Sequence, residues 1–403
     1  MNTLKRPLNV MFVITSMPVG GAETLLVNLV RSFDRRRISP QICCLKDLGV
    51  LGEQLQGEIP VHSHLIHSKF DVNVVFRLRK LFRDQQIDAV VTVGAGDKMF
   101  WGRIGARFAG VPVILSALHS TGWPDGVGCL NRFLTPLTDG FIGVARSHGQ
   151  FLADQEKFPR SKVFVIRNGI DTDRFMFSDA KRSEWRSKLD ISADAPTVGI
   201  VAALRAEKNH KLFLQAAQFV SQRLPKATFV IAGDGEIRGE LESYAAELGI
   251  EQQVRFAGNV SDTPGLLSAI DLFALTSDNE ASPVSIVEAM ACQRPVVSTD
   301  VGSVNELVSE NETGYLTPTG DFKAAGMRWL DILESPTTQR SFGKAARSKA
   351  VSQSSLTGMV DGYTRLIENL YSRKTGIRIA PPQPLTIVLP TTETPTYNST
   401  RFR

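Results

Sequence analysis

The sequence predicts an α/β protein with two domains, each built around a parallel β-sheet. Short apolar runs alternate with amphipathic helical segments to about residue 373, and a repeated strand–helix–strand order favours parallel sheets. The chain has 403 residues, which is more than one hydrophobic core usually holds. Hydrophobic residues make up 42% and charged residues 22% of it, which is typical of a globular protein.

Composition also argues against several classes of protein. No apolar run approaches the ~20 residues of a membrane-spanning helix, and the first residues lack the small-residue cleavage site of a signal peptide. The four cysteines have neither metal-ligand spacing nor the pattern of a disulfide framework; they are Cys43, Cys44, Cys129 and Cys292. We therefore expect no metal site, and we expect the protein in a reducing cytoplasm.

Charge is unevenly distributed along the chain. Residues 1–175 hold 22 Lys and Arg against 15 Asp and Glu, whereas residues 176–403 hold 24 against 26. A basic first half suits an anionic membrane surface or a phosphate-bearing acceptor, although a merely solvated surface can have the same composition. Peripheral association with the inner face of a membrane is one expectation. Nucleic acid is not an expected partner, because no binding motif accompanies the charge.

The first domain is predicted over residues 1–170. It begins with a buried strand, a glycine-containing loop and a helix that runs to about Phe33. Apolar runs predict its strands at 9–15, 41–45, 61–66, 88–93, 111–116, 141–145 and 163–166, and its later helices at 74–82 and 147–158. Residues 167–195 are the predicted interdomain linker, because Asn168-Gly169 is a strong turn signal.

Two strand ends in this domain carry candidate ligand-binding residues. Gly20 and Gly21 stand between the first strand and the first helix, where backbone can approach a phosphate. His119 follows the strand at 111–116, and such strand ends line the cleft of open α/β sheets. A glycine pair often only turns the chain and a lone histidine is often structural, so both interpretations stay open here.

The second domain is predicted over residues 196–355. Its strands are predicted at 197–203, 228–232, 253–257, 271–275 and 295–298, and its later helices at 322–335 and 338–352. A final helix follows at about 356–373. Residues 376–403 are rich in Pro, Thr and Ser with few apolar anchors, so we expect them to be disordered.

The segment from Glu280 to Ala291 carries two carboxylates, Glu280 and Glu288, eight positions apart. Ser282 and Pro283 predict a helix start between them, since proline is tolerated in a first turn. The free N–H groups of such a start form an anion site. The predicted site comprises Ser282, Pro283, Val284 and Ser285. One carboxylate is placed for sugar hydroxyls and the other for a ribose, although two solvated glutamates can have the same spacing.

These features together resemble glycosyltransferase family 4. The resemblance rests on the Glu-x7-Glu pattern of Glu280 and Glu288, on Gly-Gly-Ala-Glu from Gly20 and on Asn-Gly-Ile-Asp from Asn168. It covers about residues 8–373 and is strongest in the second domain. It implies a retaining, sugar-nucleotide-dependent enzyme of GT-B architecture. In that architecture two Rossmann-like domains turn their parallel sheets towards a central cleft, and the final helix returns to the first domain.

The resemblance implies roles for residues of the second domain. Lys208 matches the family lysine that holds the donor diphosphate. The family arginine often stands five residues earlier, where this chain has Ala203. Arg205 is expected to take its place, because a guanidinium fork can grip phosphate oxygens from a nearby position. Glu280 would hold sugar hydroxyls and Glu288 the ribose, with the diphosphate at the helix start.

The remaining candidates are assigned by the same resemblance. Gly258 would lie against the nucleobase, His119 near the reacting carbon, and Gly20 or Gly21 against the diphosphate or the acceptor. The implied donor is a nucleoside-diphosphate sugar, and a glycan or a lipid-linked molecule is the expected acceptor. No cofactor is expected. The implied reaction is metal-independent, with Lys208 and Arg205 stabilising the leaving group.

Three other functions are compatible with parts of the sequence. A sugar-nucleotide epimerase can have this architecture, and a non-catalytic sugar-nucleotide-binding relative would account for Ala203. A dehydrogenase fits less well. Its dinucleotide fingerprint needs a third glycine after Gly94 and Gly96, and Met99 stands at that position.

Overall fold

The computed structural model describes residues 4–68, 71–119 and 132–379. Within these ranges the chain forms two β-sheets with helices packed against them. Every pair of neighbouring strands in both sheets is parallel. The prediction of two α/β domains with parallel sheets is thus confirmed.

The first sheet has seven strands in the order β3-β2-β1-β4-β5-β6-β7. Its strands are β1 Leu8–Ile14, β2 Ile38–Cys44, β3 Val61–His62, β4 Ala89–Val93, β5 Val113–Ala117, β6 Gly140–Gly143 and β7 Val163–Val165. The helices among them are α1 Gly21–Ser32, α2 Gly49–Leu55, α3 Val74–Asp84, α4 Asp97–Ala109 and α5 Arg146–Asp154. Strands β4 and β5 are buried at every residue, which explains their largely apolar sequences.

Parts of this sheet differ from the prediction. Strand β2 starts at Ile38 rather than at residue 41, because Ile38 pairs with the first residue of β1. The strand predicted at 61–66 ends at His62, since the backbone turns at His64 with a positive φ of 60°. The N–H groups of Leu65 and Ile66 then both donate to one carbonyl instead of continuing a ladder. Helices α2 and α4 were not predicted.

The second sheet has six strands in the order β10-β9-β8-β11-β12-β13. Its strands are β8 Thr197–Val201, β9 Thr228–Ala232, β10 Val254–Gly258, β11 Leu272–Leu275, β12 Val296–Thr299 and β13 Gly314–Thr317. Its helices are α6 Asp179–Lys188, α7 His210–Ser221, α8 Arg238–Glu247, α9 Thr263–Ala269, α10 Val284–Ala291, α11 Val304–Leu307, α12 Phe322–Leu333 and α13 Pro336–Gln353.

The sequence prediction missed or misplaced four elements of the second domain, which are strand β13 and helices α6, α7 and α9. Strand β13 was not predicted, because it is only four residues long and begins with a glycine. Helix α6 lies inside the predicted linker of residues 167–195. Its Trp185 is 5% exposed and belongs to the second hydrophobic core. Part of the predicted linker is therefore a packed element of the second domain.

The final helix, α14 (Leu356–Thr375), returns to the first domain as the resemblance implies. Tyr363 and Ile367 belong to the same core as β1 and α1. An ion pair joins Arg37 to Glu368 at 2.5 Å, which ties the helix to the loop before β2. The first domain is therefore completed by residues from the end of the chain.

The tail predicted to be disordered is described only in part. Residues 380–403 lie outside the described residues. The N–H of Leu4 donates to the carbonyl of Arg378 at 3.1 Å, and Ile377 and Ile379 pack against the first core. The first four residues of the predicted tail are therefore held in place by the first domain, which corrects the prediction for them. In the described ranges, no helix combines the length and the hydropathy needed to cross a membrane.

Candidate active site

The loops that carry two of the predicted site residues, Lys208 and Glu280, follow neighbouring strands of the second sheet. Lys208 comes after β8 and Glu280 after β11, and these strands pair directly. The Nζ atom of Lys208 lies 2.6 Å from Oε1 of Glu280. Glu280 is only 9% exposed. A carboxylate buried to this extent needs a cation or a hydrogen-bond donor beside it, and the lysine supplies both.

Glu280 has a second contact that leaves part of its carboxylate available. The hydroxyl of Ser277 donates to the same Oε1 atom at 2.7 Å. Among the described residues, no protein group donates to the other oxygen, Oε2. A carboxylate with one oxygen held by the protein is fixed in orientation, while the other can accept a hydrogen bond from a ligand hydroxyl.

Further hydrogen bonds lock the two loops to each other. The N–H of Asp278 donates to the carbonyl of Glu207 at 2.9 Å. The side-chain amide of Asn209 donates to Asp278 Oδ1 at 3.0 Å, and the hydroxyl of Thr276 donates to the carbonyl of Asn209 at 3.0 Å. The position of Lys208 is therefore set by the neighbouring loop as well as by its own.

Helix α10 starts at Val284, four positions after Glu280 and close to the predicted position. Pro283 is its N-terminal flanking residue, and no side chain caps the helix. Its Ile286 and Met290 are buried at 0% and 2% exposure, which anchors the helix on the second core. The first N–H groups of a helix have no acceptor within it. This uncapped start, next to Lys208, is suited to bind an anion.

The start of α10 also touches the first domain. The side-chain amide of Asn168, which follows β7, donates to the carbonyl of Ser282 at 3.1 Å. Val284 packs against both hydrophobic cores. Because β7 and the other parallel strands end at the same edge of the first sheet, that edge faces the helix start across the domain boundary.

Glu288 lies in the second turn of α10, on the same helix as the anion site. Burial raises the pKa of its carboxyl to about 7, and the nearby positive charge of Arg174 only partly offsets this effect. At neutral pH the group is therefore present in both protonation states. It can donate as well as accept a hydrogen bond, which suits a hydroxyl-bearing partner.

Arg205 is exposed and lies just before the short 3₁₀ turn that ends at Lys208. No ion pair is present for Arg205 within the described residues. The structure thus places it on the same loop as Lys208, without fixing its guanidinium on a protein group.

Gly258 lies further from this cluster, at the end of edge strand β10. Its φ of 65° favours glycine, and its carbonyl accepts the N–H of Gly233 at 2.8 Å. A Cβ atom here would come no closer than 3.6 Å to Arg238. The backbone is therefore accessible, but β9 separates it from the strand that leads to Lys208.

The glycine pair of the first domain lies at the end of the central strand β1. Gly20 flanks the start of α1, and Gly21 is its first residue. A Cβ atom on Gly21 would meet nothing within 4 Å, so this backbone faces open space. At Gly20 a Cβ atom would meet only the side chain of Glu23. The geometry thus leaves room for a ligand against the backbone.

His119 follows β5 and is half-buried. Burial is the main cause that lowers its pKa to about 4, and the positive charges of His148 and Lys98 contribute to the same shift. The ring is therefore neutral at physiological pH and acts as a hydrogen-bonding group rather than as a cation. The loop that continues from it, residues 120–131, lies outside the described residues.

Glu306 was not among the candidate residues from the sequence, and it makes contacts with the first domain. Its carboxylate accepts the N–H of Arg146 at 3.1 Å, the N–H of Ser147 at 2.7 Å and the Ser147 hydroxyl at 2.7 Å. It thus caps helix α5 from the other domain. No local pattern reveals this, because the cap and its helix are 159 positions apart.

A separate cavity of about 370 Å³ lies between the end of α1, residues 170–173 and the start of α14. Its ionisable lining residues are four aspartates and one arginine: Asp34, Asp171, Asp173, Asp361 and Arg37. This charge disfavours an anionic ligand. We therefore assign the candidate site to the cluster of Lys208 and Glu280, where Lys208, the exposed Arg205 on the same loop and the uncapped helix start suit an anion.

Comparison with known proteins identifies the family. The model described as Glycosyltransferase Family 4 matches residues 19–174, and the model described as Glycosyl transferases group 1 matches residues 181–349. Together the two matches span most of both domains without overlapping.

Similar proteins have related descriptions. The putative glycosyltransferase EpsF of Bacillus subtilis (strain 168) is 27% identical over 313 residues, covering 74% of this chain and 80% of that protein. An Escherichia coli enzyme, UDP-Gal:alpha-D-GlcNAc-diphosphoundecaprenol alpha-1,3-galactosyltransferase, is 26% identical over 262 residues, or 62% and 67% of the two chains.

The fold matches a solved structure over most of its length. HepE from Anabaena, crystallised in complex with UDP, superposes with a TM-score of 0.79 at 23% identity, covering 89% of this chain and 99% of HepE. That likeness concerns the fold, and the two family models supply the relationship in sequence. The chain therefore belongs to glycosyltransferase family 4, and it is a glycosyltransferase with the GT-B fold.

Proposed function

We propose that this enzyme is a retaining, metal-independent glycosyltransferase that moves a sugar from a nucleoside-diphosphate sugar to a hydroxyl of a glycan or lipid-linked acceptor. The observation that carries the proposal is the partly buried pair of Lys208 and Glu280 beside the uncapped start of α10. In this arrangement Lys208 suits a diphosphate and Glu280 suits sugar hydroxyls. Solved structures of HepE contain UDP, glucose or UDP-glucose, which supports such a donor.

The diphosphate would lie at the start of α10, within reach of Lys208. An ammonium group has three N–H donors, so Lys208 can keep its contact with Glu280 and also bind a phosphate oxygen. Arg205, exposed on the same loop, would supply a second cation. These fixed charges and the helix dipole stabilise the negative charge that develops on the leaving diphosphate.

The sugar and the ribose would be held by the two carboxylates of the motif. Glu280 offers its free Oε2 atom to the sugar hydroxyls, since its Oε1 atom is already held by the protein. Glu288 would bind the ribose, and its pKa of about 7 allows it to donate or accept a hydrogen bond. Gly258 would present backbone to the nucleobase.

The acceptor would approach from the first domain, near Gly20, Gly21 and His119. In the proposed reaction the bond between the anomeric carbon and the diphosphate oxygen breaks, and the acceptor oxygen forms a bond to the same face of the sugar. The leaving diphosphate accepts the proton of the acceptor hydroxyl. Neutral His119 would hydrogen-bond the sugar near the reacting carbon rather than act as a nucleophile.

Replacing Lys208 with alanine tests the diphosphate assignment. We expect turnover to fall by roughly 10²–10³, as when one donor to a developing negative charge is removed, and donor affinity to fall with it. The measurement is donor titration and steady-state kinetics with nucleotide sugars. Lys226→Ala, at an exposed lysine of the same domain, is the matched control. Unchanged donor affinity and turnover in the folded Lys208→Ala protein would remove the assignment.

Retention of the anomeric configuration is tested by a separate measurement. The anomeric configuration of the product, observed by NMR, should match that of the donor. An inverted product would exclude retention. If the donor sugar is instead epimerised without any acceptor, the enzyme is an epimerase of the same fold.

A further inference from the structure

Helix α3 presents an unusual exposed face for a surface helix. Phe76 is 67% exposed. Arg79, Lys80 and Arg83 follow it at spacings of three, four and seven residues, which places all four side chains on one side of the helix. The opposite side, with Val74, Leu78 and Phe82, is buried in the first domain. The exposed aromatic ring therefore does not contribute to the core.

The end of α4 extends this face. Nε of Arg79 donates to the carbonyl of Phe108 at 3.3 Å, and Nε of Arg83 donates to the carbonyl of Ala109 at 3.4 Å. Phe108 is itself 63% exposed, and Arg107 beside it is also exposed. We call this surface the aromatic-basic face. It comprises Val72, Phe76, Arg79, Lys80, Arg83, Arg107 and Phe108.

Charge on the aromatic-basic face is strongly positive. It has four cationic side chains, and the exposed acid beside them is Asp84, which pairs with Lys80 at 2.5 Å. Both partners of that pair are more than half exposed, so it is weak. Asp71 is 9% exposed and bonded to Arg77, so it does not neutralise the face. The arginines keep terminal N–H groups free, because their contacts with carbonyls use only Nε.

Exposed aromatic rings beside an excess of positive charge on a helical surface are typical of a protein that rests on an anionic bilayer. Aromatic and aliphatic side chains enter the headgroup region, while Lys and Arg remain over the lipid phosphates. A purely apolar protein partner would not favour four cations at its contact. A single-stranded nucleic acid fits less well, because it binds in a basic groove. Val72 also adds an exposed aliphatic side chain to the face, which suits lipid better than nucleic acid.

The position of the face also relates it to the cleft. Phe76 is in the first turn of α3, which follows β3, whereas Gly20 follows β1. In a parallel sheet both helix starts lie at the edge where the strands end. The end of the face that carries Val72 and Phe76 is therefore at the same edge of the first sheet as the candidate acceptor region, whereas Phe108, at the end of α4, lies towards the other edge.

We propose that the aromatic-basic face docks the enzyme on an anionic lipid bilayer, with Phe76 and Phe108 inserted among the headgroups and the four cations above the lipid phosphates. The proposal does not depend on the donor or on the reaction. The face belongs to the basic first half of the chain and is the part of it that would contact the membrane.

The test is flotation of the full-length protein with vesicles of phosphatidylcholine, with and without added phosphatidylglycerol. We expect binding only when the anionic lipid is present, and weaker binding as salt is raised. Replacing both Phe76 and Phe108 with serine should weaken binding by at least about tenfold. Replacing Lys80 and Arg107 with glutamine should weaken it by on the order of 20-fold, since each cation contributes about fivefold.

A matched control removes two charges from another exposed helical surface. Arg340 and Lys344 on α13 are both exposed, and Arg340→Gln with Lys344→Gln should leave vesicle binding unchanged. Met327→Ser, at a side chain that is 53% exposed on α12, is the apolar control. Thermal melting verifies that each variant is folded, which is expected because the replaced side chains are exposed.

Several outcomes would overturn the proposal. These are absence of vesicle binding, equal binding to vesicles without anionic lipid, and equal losses in the control variants. Self-association through Phe76 and Phe108, detected by light scattering, together with no binding to vesicles would instead identify a contact between copies. Failure of glycosyl transfer would leave the vesicle result unaffected, so the two proposals are tested separately.

Discussion

At the scale of single residues, Glu288 shows how burial adapts a carboxyl group to its place in the site. Its pKa is raised to about 7 because the ionised form loses hydration, and Arg174 compensates only partly. In the unfolded chain the same group titrates near its ordinary value of about 4.3. Between these two values the folded protein keeps a proton that the unfolded chain has lost. Stability therefore falls as the pH rises through this interval and is level above it.

Replacing Glu288 with glutamine should remove this dependence. We expect the melting temperature of Glu288→Gln to exceed that of the wild type at pH 8, with a smaller difference or a reversed sign near pH 4. Donor affinity should fall at both values, because the amide changes the hydrogen bonds offered to the ribose. Melting curves and donor titrations at the two pH values check this.

Glu236→Gln, at an exposed glutamate of the same domain, is the control for the loss of one carboxylate. Equal pH dependence in wild type and Glu288→Gln would show that the burial of Glu288 does not affect stability.

At the scale of elements, the loop between β11 and α10 depends on a close approach by the loop after β12. Gly302 has a φ of 57°, and a Cβ atom there would lie 1.6 Å from the carbonyl oxygen of Glu280. The hydroxyl of Ser303 donates to the carbonyl of Ala281 beside it. The backbone at Glu280 is thus supported by the loop after β12. Only glycine at position 302 allows the two backbones to approach this closely.

Replacing Gly302 with alanine should displace Glu280 and lower both stability and turnover. We expect a loss of stability larger than the about 1–2 kcal/mol that a left-handed backbone costs an alanine, because a backbone clash is added. Chemical denaturation and steady-state kinetics measure the two effects.

Gly320→Ala separates the clash from the backbone strain. Gly320 has a φ of 76°, but a Cβ atom there would meet nothing within 4 Å. This control should lose stability and keep turnover. If both variants behave alike, contact with Glu280 is not the reason for the glycine at position 302.

At the scale of the whole molecule, the two domains are joined by contacts that lie far apart in sequence. Glu306 of the second domain caps helix α5 of the first. Asn168 bonds the carbonyl of Ser282 at 3.1 Å, and α14 completes the first core. The chain segments that pass between the two domains and these hydrogen bonds together hold the two sides of the cleft that contains the candidate site.

Replacing Glu306 with alanine should loosen this arrangement. Three hydrogen bonds across the domain boundary are lost, so we expect a larger radius of gyration in small-angle scattering and a lower turnover. Glu312→Ala, at an exposed acid of the same domain, should change neither. An unchanged radius together with unchanged turnover would show that the cap does not hold the domains together.

Much of the fold was predictable because strands of a parallel sheet are buried on both faces. Strands β4 and β5 are buried at every residue, so both appear in the sequence as largely apolar segments. Strand β13 was not predictable in this way, because pairing with β12 rather than its own four residues makes it a strand. The same reason explains the early start of β2.

The sequence alone determined the family resemblance, the alternation of strands and helices, and the candidate residues at strand and helix ends. Those features depend on neighbours along the chain, through turn chemistry, apolar periodicity and helix starts. Only the tertiary structure decided that Lys208 and Glu280, 72 positions apart, share one hydrogen bond. It also decided that Phe76 and Phe108 remain exposed while neighbouring apolar residues are buried. Contacts of this kind depend on how whole elements pack, which no local pattern specifies.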